Sequence, residues 1–293
     1  MTPTRYQLPV GFFRQELDPL ADAVFLPSEQ VRNGTFQCVG GRHVHHVGGK
    51  QIWDWDGGAA ERYKDVSHSI FIEGRHIVMM RSGDAFSAGG TYRQAAPYSL
   101  FPDVYIQNCR VENVRGSFDE IHADVFQLDY SLHDLKIDCL TADTDYQGLY
   151  LRPTVAISGK IDIRRCNFTL NTANGLQPSA RLIYLFKNMS EVSDTRHLLY
   201  FSEVYCDVPH GLDPRTFFSP RQGMEIAADA QGTYVWWPDL SQRVMDLKGQ
   251  PARIRIGKPP NGDFAPATSV GLGYRSPGYQ TSPTTHMNFD PQP

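Results

Sequence analysis

Four segments of this chain run through alternating polar and apolar residues and end on cysteine: Asp103-Val-Tyr-Ile-Gln-Asn-Cys109, Asp134-Leu-Lys-Ile-Asp-Cys139, Lys160-Ile-Asp-Ile-Arg-Arg-Cys166 and Phe201-Ser-Glu-Val-Tyr-Cys206. Their cysteines follow one another at intervals of 30, 27 and 40 residues. A strand that recurs in this way cannot bury its apolar side alone; stacking successive copies gives it a core. The pattern predicts a solenoid of β-coils. It also predicts that Cys109, Cys139, Cys166 and Cys206 form an internal ladder of reduced thiols, because free Cys packs as a small hydrophobe. With Cys38 the chain has five cysteines and no CxxC pair, which argues against a zinc site and a complete disulfide set.

A second class of strands interleaves with the first: Asp84-Ala-Phe86, Asp124-Val-Phe-Gln127, Gly148-Leu-Tyr-Leu-Arg152, Leu182-Ile-Tyr-Leu-Phe186 and Thr233-Tyr-Val-Trp-Trp237. Helical periodicity is weak throughout, with a short stretch from Arg14 to Phe25 as its best example. Paired glycines at Gly40-Gly41, Gly48-Gly49 and Gly89-Gly90 fit turns between strands. The ends differ in character. Residues 1–32 are expected to cap the first coil, 33–238 to form the solenoid, and 239–293 to add a strand pair and a Pro/Gly-rich tail that docks along the solenoid or onto a partner.

Net charge is −4 and no basic block is present, so a nucleic-acid partner is not expected. No apolar run reaches the roughly 20 residues of a membrane helix, so membrane insertion is not expected either. Met1 to Phe25 lacks a basic stretch followed by an apolar one, and no secretory signal is read there. The expectation is synthesis in the cytoplasm, with a virion or phage-like particle, or another secretion route, as the way out.

A more specific pattern lies between Asn113 and Arg152. It comprises Glu120-Ile-His-Ala-Asp-Val-Phe-Gln127, Leu135-Lys-Ile-Asp138 and Asp145-Tyr-Gln-Gly-Leu-Tyr150. This His-x-Asp-x-x-Gln and Tyr-Gln-Gly pattern resembles bacterial β-helix proteins. Over residues 33–240 the chain looks like the pectin-lyase-like superfamily. The resemblance implies an all-β fold, a right-handed parallel β-helix, and carbohydrate as the partner, since the superfamily includes polysaccharide lyases, polygalacturonase-type hydrolases, uronate epimerases and phage tailspikes. Fold does not fix chemistry. The close Asp-Asp pair, Gly-His-Gly and Arg-x-Lys of polygalacturonases are missing in that order. Pro209-His-Gly-Leu-Asp213 only echoes the Asp-Pro-His-Asp of epimerases, and the clustered acids of calcium pectate lyases are dispersed here. No family catalytic residue is carried over.

The second strand class is aligned on Phe126, Leu149, Ile183 and Val235 as inward positions. Alternation then sends Gln127, Tyr150, Tyr184 and Trp236 outward on one face, with Arg152 and Phe186 two residues further along. Sugar rings stack on aromatics, and Arg can grip a uronate carboxylate with two bonds. A covering loop or tail over the same stripe is the alternative. His122 and Asp124 enter this face at a turn. Together they form either an acid–base pair or a structural hydrogen bond. Asp145, Tyr146 and Gln147 occupy the equivalent turn one coil on, where they either widen the site or shape the turn. His43, His45 and His46 have partial metal-ligand spacing but no nearby acid or Cys, so no metal and no cofactor is expected. Trp53-Asp-Trp55-Asp-Gly-Gly reads as a packed aromatic loop or a second sugar contact.

These features point first to a polysaccharide-recognising β-helix, a binding or adhesion module in a virion spike or similar surface assembly, with a cell-surface glycan and other copies of itself as partners. The second reading is a polysaccharide lyase or glycoside hydrolase acting on an acidic polymer through His122, Asp124 and Arg152. The third is a purely structural solenoid.

Overall fold

The computed structural model describes residues 2–92, 99–151, 157–173, 175–187 and 198–276. Among these residues the regular structure is β-strand with three 3-10 turns and no α-helix. Two largely parallel sheets of 8 and 15 strands carry the chain, an arrangement compatible with a parallel β-helix. The 8-stranded sheet stacks Phe13–Leu17, Phe36–Gly40, Ala59–Lys64, Asp84–Ala88, Asp124–Gln127, Gln147–Tyr150, Arg181–Tyr184 and Phe218–Ser219, every neighbour parallel. In the other sheet Thr4–Gln7, Asp22–Leu26, His43–Val47 and Ser69–Glu73 lead into four long strands, Asp103–Val114, Leu135–Thr144, Ile161–Leu170 and Leu199–Asp207. Residues 4–26 thus already contribute three strands to the ladders.

Register puts like residues over like. Phe25, His46, Ile72, Ile106, Ile137, Ile163 and Phe201 form one inward column. All seven are essentially inaccessible, and each such apolar side chain contributes about 1.5–3 kcal/mol by leaving water.

The long strands each place a left-handed residue at one shared height, and Asp103–Val114 has a second, Asn113 (69°), near its end. Asn108, Cys139, Arg165 and Glu203 have φ of 50°, 56°, 46° and 55°. The flanking pairs, Gln107 to Asp138 to Arg164 to Ser202 and Cys109 to Leu140 to Cys166 to Val204, place these four at one height of the ladder. Gly48 (58°) and Gly74 (67°) continue the column, each directly after the paired Val47 and Glu73. The bend therefore recurs on six successive coils, four of them without glycine.

This bend corrects the expected cysteine ladder. Cys109 and Cys166 follow the bend and flank Leu140, whereas Cys139 occupies the bend itself and Cys206 pairs with Phe168. All five thiols are free; Cys139 is partly exposed and the others are buried. Burial alone pushes the Cys38 thiol above its usual range, and burial is also the main cause at Cys109 and Cys206. A thiol reagent applied to native protein is expected to label Cys139 first and leave the other four protected until unfolding. Rapid labelling of two or more sites would contradict this packing.

Polar side chains interrupt the inward stack in both sheets, His46 in one and Glu61 in the other. Glu61 takes the place between Phe36 and Phe86. Arg75 Nε donates to it at 2.6 Å and Tyr63 Oη at 2.8 Å, while His46 Nδ1 donates to the Tyr63 oxygen at 2.5 Å. Burial opposes ionisation of Glu61, yet Arg75 and His46 outweigh it and hold the carboxyl below its ordinary range. Burial, reinforced by Arg75, lowers His46 to about 3, so its ring is neutral at pH 7. Arg75 also donates to the carbonyl of Gly48, tying this internal network to the bend.

The chain's last described stretch returns along the 15-stranded sheet. Ile254–Ile256 closes against Tyr205–Cys206 in parallel and against the hairpin Glu225–Asp229/Gly232–Trp236 in antiparallel sense. Asp263 then accepts from Arg110 Nη1 at 2.8 Å and Asn167 Nδ2 at 3.0 Å. Ala265 N donates to Thr141 Oγ1 at 3.0 Å. Tyr274 donates to Glu73 at 2.7 Å, and Asn108 Nδ2 donates to Tyr274 at 3.2 Å. The described part of the tail thus lies along the 15-stranded sheet. Gly74 lies under the Tyr274 ring, and a Cβ there would fall inside that ring. Gly74→Ala is expected to lift the Tyr274 end of the tail. Limited proteolysis should show faster cleavage near residues 258–276 with the solenoid fragment intact; an unchanged cleavage pattern would contradict the contact.

Candidate functional site

The outward column of the 8-stranded sheet is continuous from one end to the other: Arg14, Gln37, Arg62, Ser87, Gln127, Tyr150, Tyr184 and Ser219. Phe126, Leu149 and Ile183 lie inward beside it, fully buried, as strand alternation requires. Gln127, Tyr150 and Tyr184 are partly exposed. The two tyrosine rings have centroids 4.9 Å apart at 40°, which matches the rise of about 4.8 Å between strands.

Two expected members do not belong to this face. The coil after Ile183 is Phe218, not Val235. Trp236 accordingly sits on the antiparallel hairpin that ends the other sheet, opposite Glu225. The strand stops at Tyr184, alternation lapses there, and Phe186 turns into the core, fully buried. Arg152 lies outside the described residues.

At the start of these strands a second column contains Ala59, Asp84, Asp124, Gln147 and Arg181, with Asp124 N donating to Asp84 Oδ1 at 3.0 Å. His122 Nδ1 meets Asp124 Oδ2 at 3.0 Å. The His122 side chain is 38% exposed, while that of Asp124 is fully buried. The imidazole stands edge-on to Tyr146 (5.1 Å, 89°) and Tyr150 (5.4 Å, 83°), so it links the carboxylate to the tyrosine column. Tyr146 is itself buried; burial, then the Asp124 charge, raises its hydroxyl to about 12. It walls the site from behind. Asp145 is buried too, and its Oδ1 accepts from Gly116 N at 3.1 Å, which anchors the turn.

Asp84 was not among the residues that sequence patterning selected for the site. Burial, and then the charges of Asp124 and Asp129, holds its carboxyl well above the usual range. Its position was legible in principle, because Phe86 aligns with Phe126 and Asp84 therefore with Asp124. Arg62 and Ser87 were missed for the same reason. Arg62 also lines a cleft of about 310 Å³ with Lys64, Asp65, Tyr92, Asp129 and Tyr130. Here Ser87 Oγ donates to Asp129 Oδ2 at 3.5 Å, and the Tyr92 and Tyr130 rings are 5.5 Å apart. The face offers stacked aromatics, hydrogen-bonding amides and charges of both signs, and one imidazole beside a buried carboxylate.

The histidines with metal-like spacing have other partners. His43 Nδ1 lies 2.8 Å from Ser69 Oγ, His45 Nε2 lies 2.8 Å from Glu73, and His46 joins the Glu61 network. Asp103, His133 and Asp134 bring one ligand atom each within 4.8 Å of the others. Their atoms are engaged in the turns: Asp103 Oδ1 meets His133 Nδ1 and Asp134 N at 3.0 and 3.2 Å, and Asp134 Oδ1 accepts from Lys160 N at 2.8 Å. Trp53 is packed, donating to Thr35 at 3.1 Å, whereas Trp55 is exposed.

The sequence matches no known family model, no curated protein and no solved structure.

The raised Asp84 carboxyl sets a pH dependence. The folded protein keeps this proton at pH values where the unfolded chain, with an ordinary Asp near 3.9, has lost it. Asp84's contribution to stability is therefore complete below about pH 4 and is lost as pH rises through the folded-state value. Asp84→Asn keeps an acceptor for Asp124 N and does not titrate. Melting curves are expected to show the variant gaining on the parent as pH rises above about 4; a constant difference would show that Asp84 is ionised like an exposed Asp.

Proposed function

We propose that this chain is a right-handed parallel β-helix of pectin-lyase-like kind, and that the outer face of its 8-stranded sheet binds an acidic polysaccharide as an adhesion or recognition module. The observation that carries this reading is the register of Gln127, Tyr150 and Tyr184, one above another, with the tyrosine rings 4.9 Å apart. A row of π-faces beside amides suits the alternating C–H faces and hydroxyls of a sugar chain. Arg62 in the same column and Lys64 in the adjoining cleft supply cations for uronate carboxylates. The setting that fits is a surface assembly such as a virion or phage-like spike.

A second reading has one specific support, the contact between His122 and Asp124. A buried carboxylate orienting a partly exposed imidazole is a common acid–base arrangement, so a lyase or hydrolase at the same face is the alternative. The binding reading takes precedence because Asp84 and Asp124 are buried. A hydrolase needs two carboxyls facing the sugar, and this pair faces the core side of the turn.

A panel of bacterial capsular and exopolysaccharides tests both. For a polymer that binds, Tyr150→Ala and Tyr184→Ala are each expected to weaken affinity roughly tenfold or more at unchanged melting temperature. Trp236→Ala should leave it unchanged. Equal affinity in all three variants removes the tyrosine column from the account. New reducing ends or unsaturated uronate absorbance that vanish in His122→Ala, with binding retained, would install the enzyme reading in its place.

A further inference from the structure

The strand Phe13–Leu17 is the last of the 8-stranded sheet. One of its edges pairs with Phe36–Gly40, and no strand among the described residues occupies the other. An open edge presents N–H and C=O groups without a ladder partner, a template for another strand; here the Glu16 carbonyl accepts from Gln15 Nε2 of its own chain at 2.8 Å, a contact that strand pairing would replace. Its surroundings are apolar: Val10, Phe12 and Leu20 are 39%, 59% and 64% exposed, and Phe13 and Leu17 are only partly buried against the core.

The sequence of this strand, Phe13-Arg-Gln-Glu-Leu17, is a mirror of itself in chemistry. Phe13, Gln15 and Leu17 point inward and partly buried; Arg14 and Glu16 point outward and exposed. When such a strand meets a copy of itself antiparallel about Gln15, Phe13 faces Leu17 of the second copy and continues the core. Gln15 faces Gln15 of the second copy, amide to amide. Arg14 faces Glu16 of the second copy, and the two-fold repeats this match on the other side. Inward residues oppose inward ones throughout, so neither sheet face is violated. Val10 and Leu20, which flank Gln15 symmetrically in sequence, lie at opposite ends of the strand, where the same two-fold brings one toward the other.

We propose that two copies of this chain associate end to end through antiparallel pairing of their Phe13–Leu17 strands. Such an interface is isologous, the form that closes as a dimer and does not propagate. The charge pattern selects a second copy over an arbitrary strand, because Arg14 and Glu16 find complements only where an acid and a base stand two apart in that order, as they do in this strand reversed. Within one chain the Arg14–Glu16 pair is exposed, with side chains 47% and 69% accessible, and contributes little by itself.

Sedimentation of the full chain tests the proposal. The parent is expected to show a concentration-dependent dimer. Glu16→Arg sets arginines opposite one another twice, and is expected to raise the dimer dissociation constant about tenfold or more with an unchanged melting curve. Arg14→Glu combined with Glu16→Arg restores the match and the dimer. A monomer at every concentration, a dimer indifferent to Glu16→Arg, a double variant that stays dissociated, or an assembly larger than a dimer would each overturn it.

Discussion

In-register backbone pairing between successive strands is the constraint on which the rest of this molecule depends, and over six successive strands it goes with a bend at the same height. The bend is made by one left-handed residue per coil, from Gly48 to Glu203. For a residue with a Cβ that conformation costs about 1–2 kcal/mol. Asn108, Cys139, Arg165 and Glu203 tolerate it because the residues on both sides are locked by ladder hydrogen bonds and the following apolar residue is buried. Asn is at home there; Cys, Arg and Glu are not, so their presence shows that the stack, and not local preference, dictates the backbone. Once the bend is fixed, side chains three coils apart share a column whatever lies in the connecting loops, and a continuous outward column follows from geometry alone.

The same stacking sets the state of the buried carboxyls. Glu61 and Asp84 lie on neighbouring strands of one sheet, and desolvation pushes both toward the neutral form. Their partners then separate them. Glu61 has the Arg75 guanidinium and the Tyr63 hydroxyl as donors, and the Arg75 charge holds its carboxyl below the ordinary range. Asp84 has the charges of Asp124 and Asp129, which add to burial in raising its carboxyl. Neither outcome follows from residue type. Each follows from which side chains the register delivers to the next coil, the general rule when low dielectric amplifies close pairs.

Much of the architecture was legible because alternation and recurrence are properties of sequence. Phe126, Leu149 and Ile183 aligned correctly, and with them Gln127, Tyr150 and Tyr184. Errors arose where strand length was assumed. Phe186 was taken as outward by continuing the alternation past Tyr184, where the strand has ended. Trp236 was placed on the face because Thr233 to Trp237 resembles the other strands, although it forms an antiparallel hairpin. The cysteines misled in a related way: their recurrence is real, but it marks the neighbourhood of the bend, where Cys109 and Cys166 fall just after it and Cys139 upon it. A left-handed residue leaves no trace in hydropathy, and Asn108, Arg165 and Glu203 share nothing in composition. The Glu61 network was illegible for another reason, since His46 reaches it from a strand of the opposite sheet and Arg75 from the turn between Ser69–Glu73 and His76–Met79.

The route of the tail bears on how such a molecule can hold a polar face at all. Every contact of Lys258 to Tyr274 described above falls on the 15-stranded sheet or its bend, at Asn167, Thr141, Arg110, Asn108 and Glu73. A parallel ladder gains little from one coil alone, and a strap that binds several coils at once ties them into one cooperative unit. Because that strap runs on one side, the 8-stranded sheet has no structural need for apolar outward residues. Its outer column holds Gln37, Arg62, Ser87 and Gln127 beside one stacked tyrosine pair, 4.9 Å apart. Stability supplied along one sheet is what lets the outward column of the other be polar.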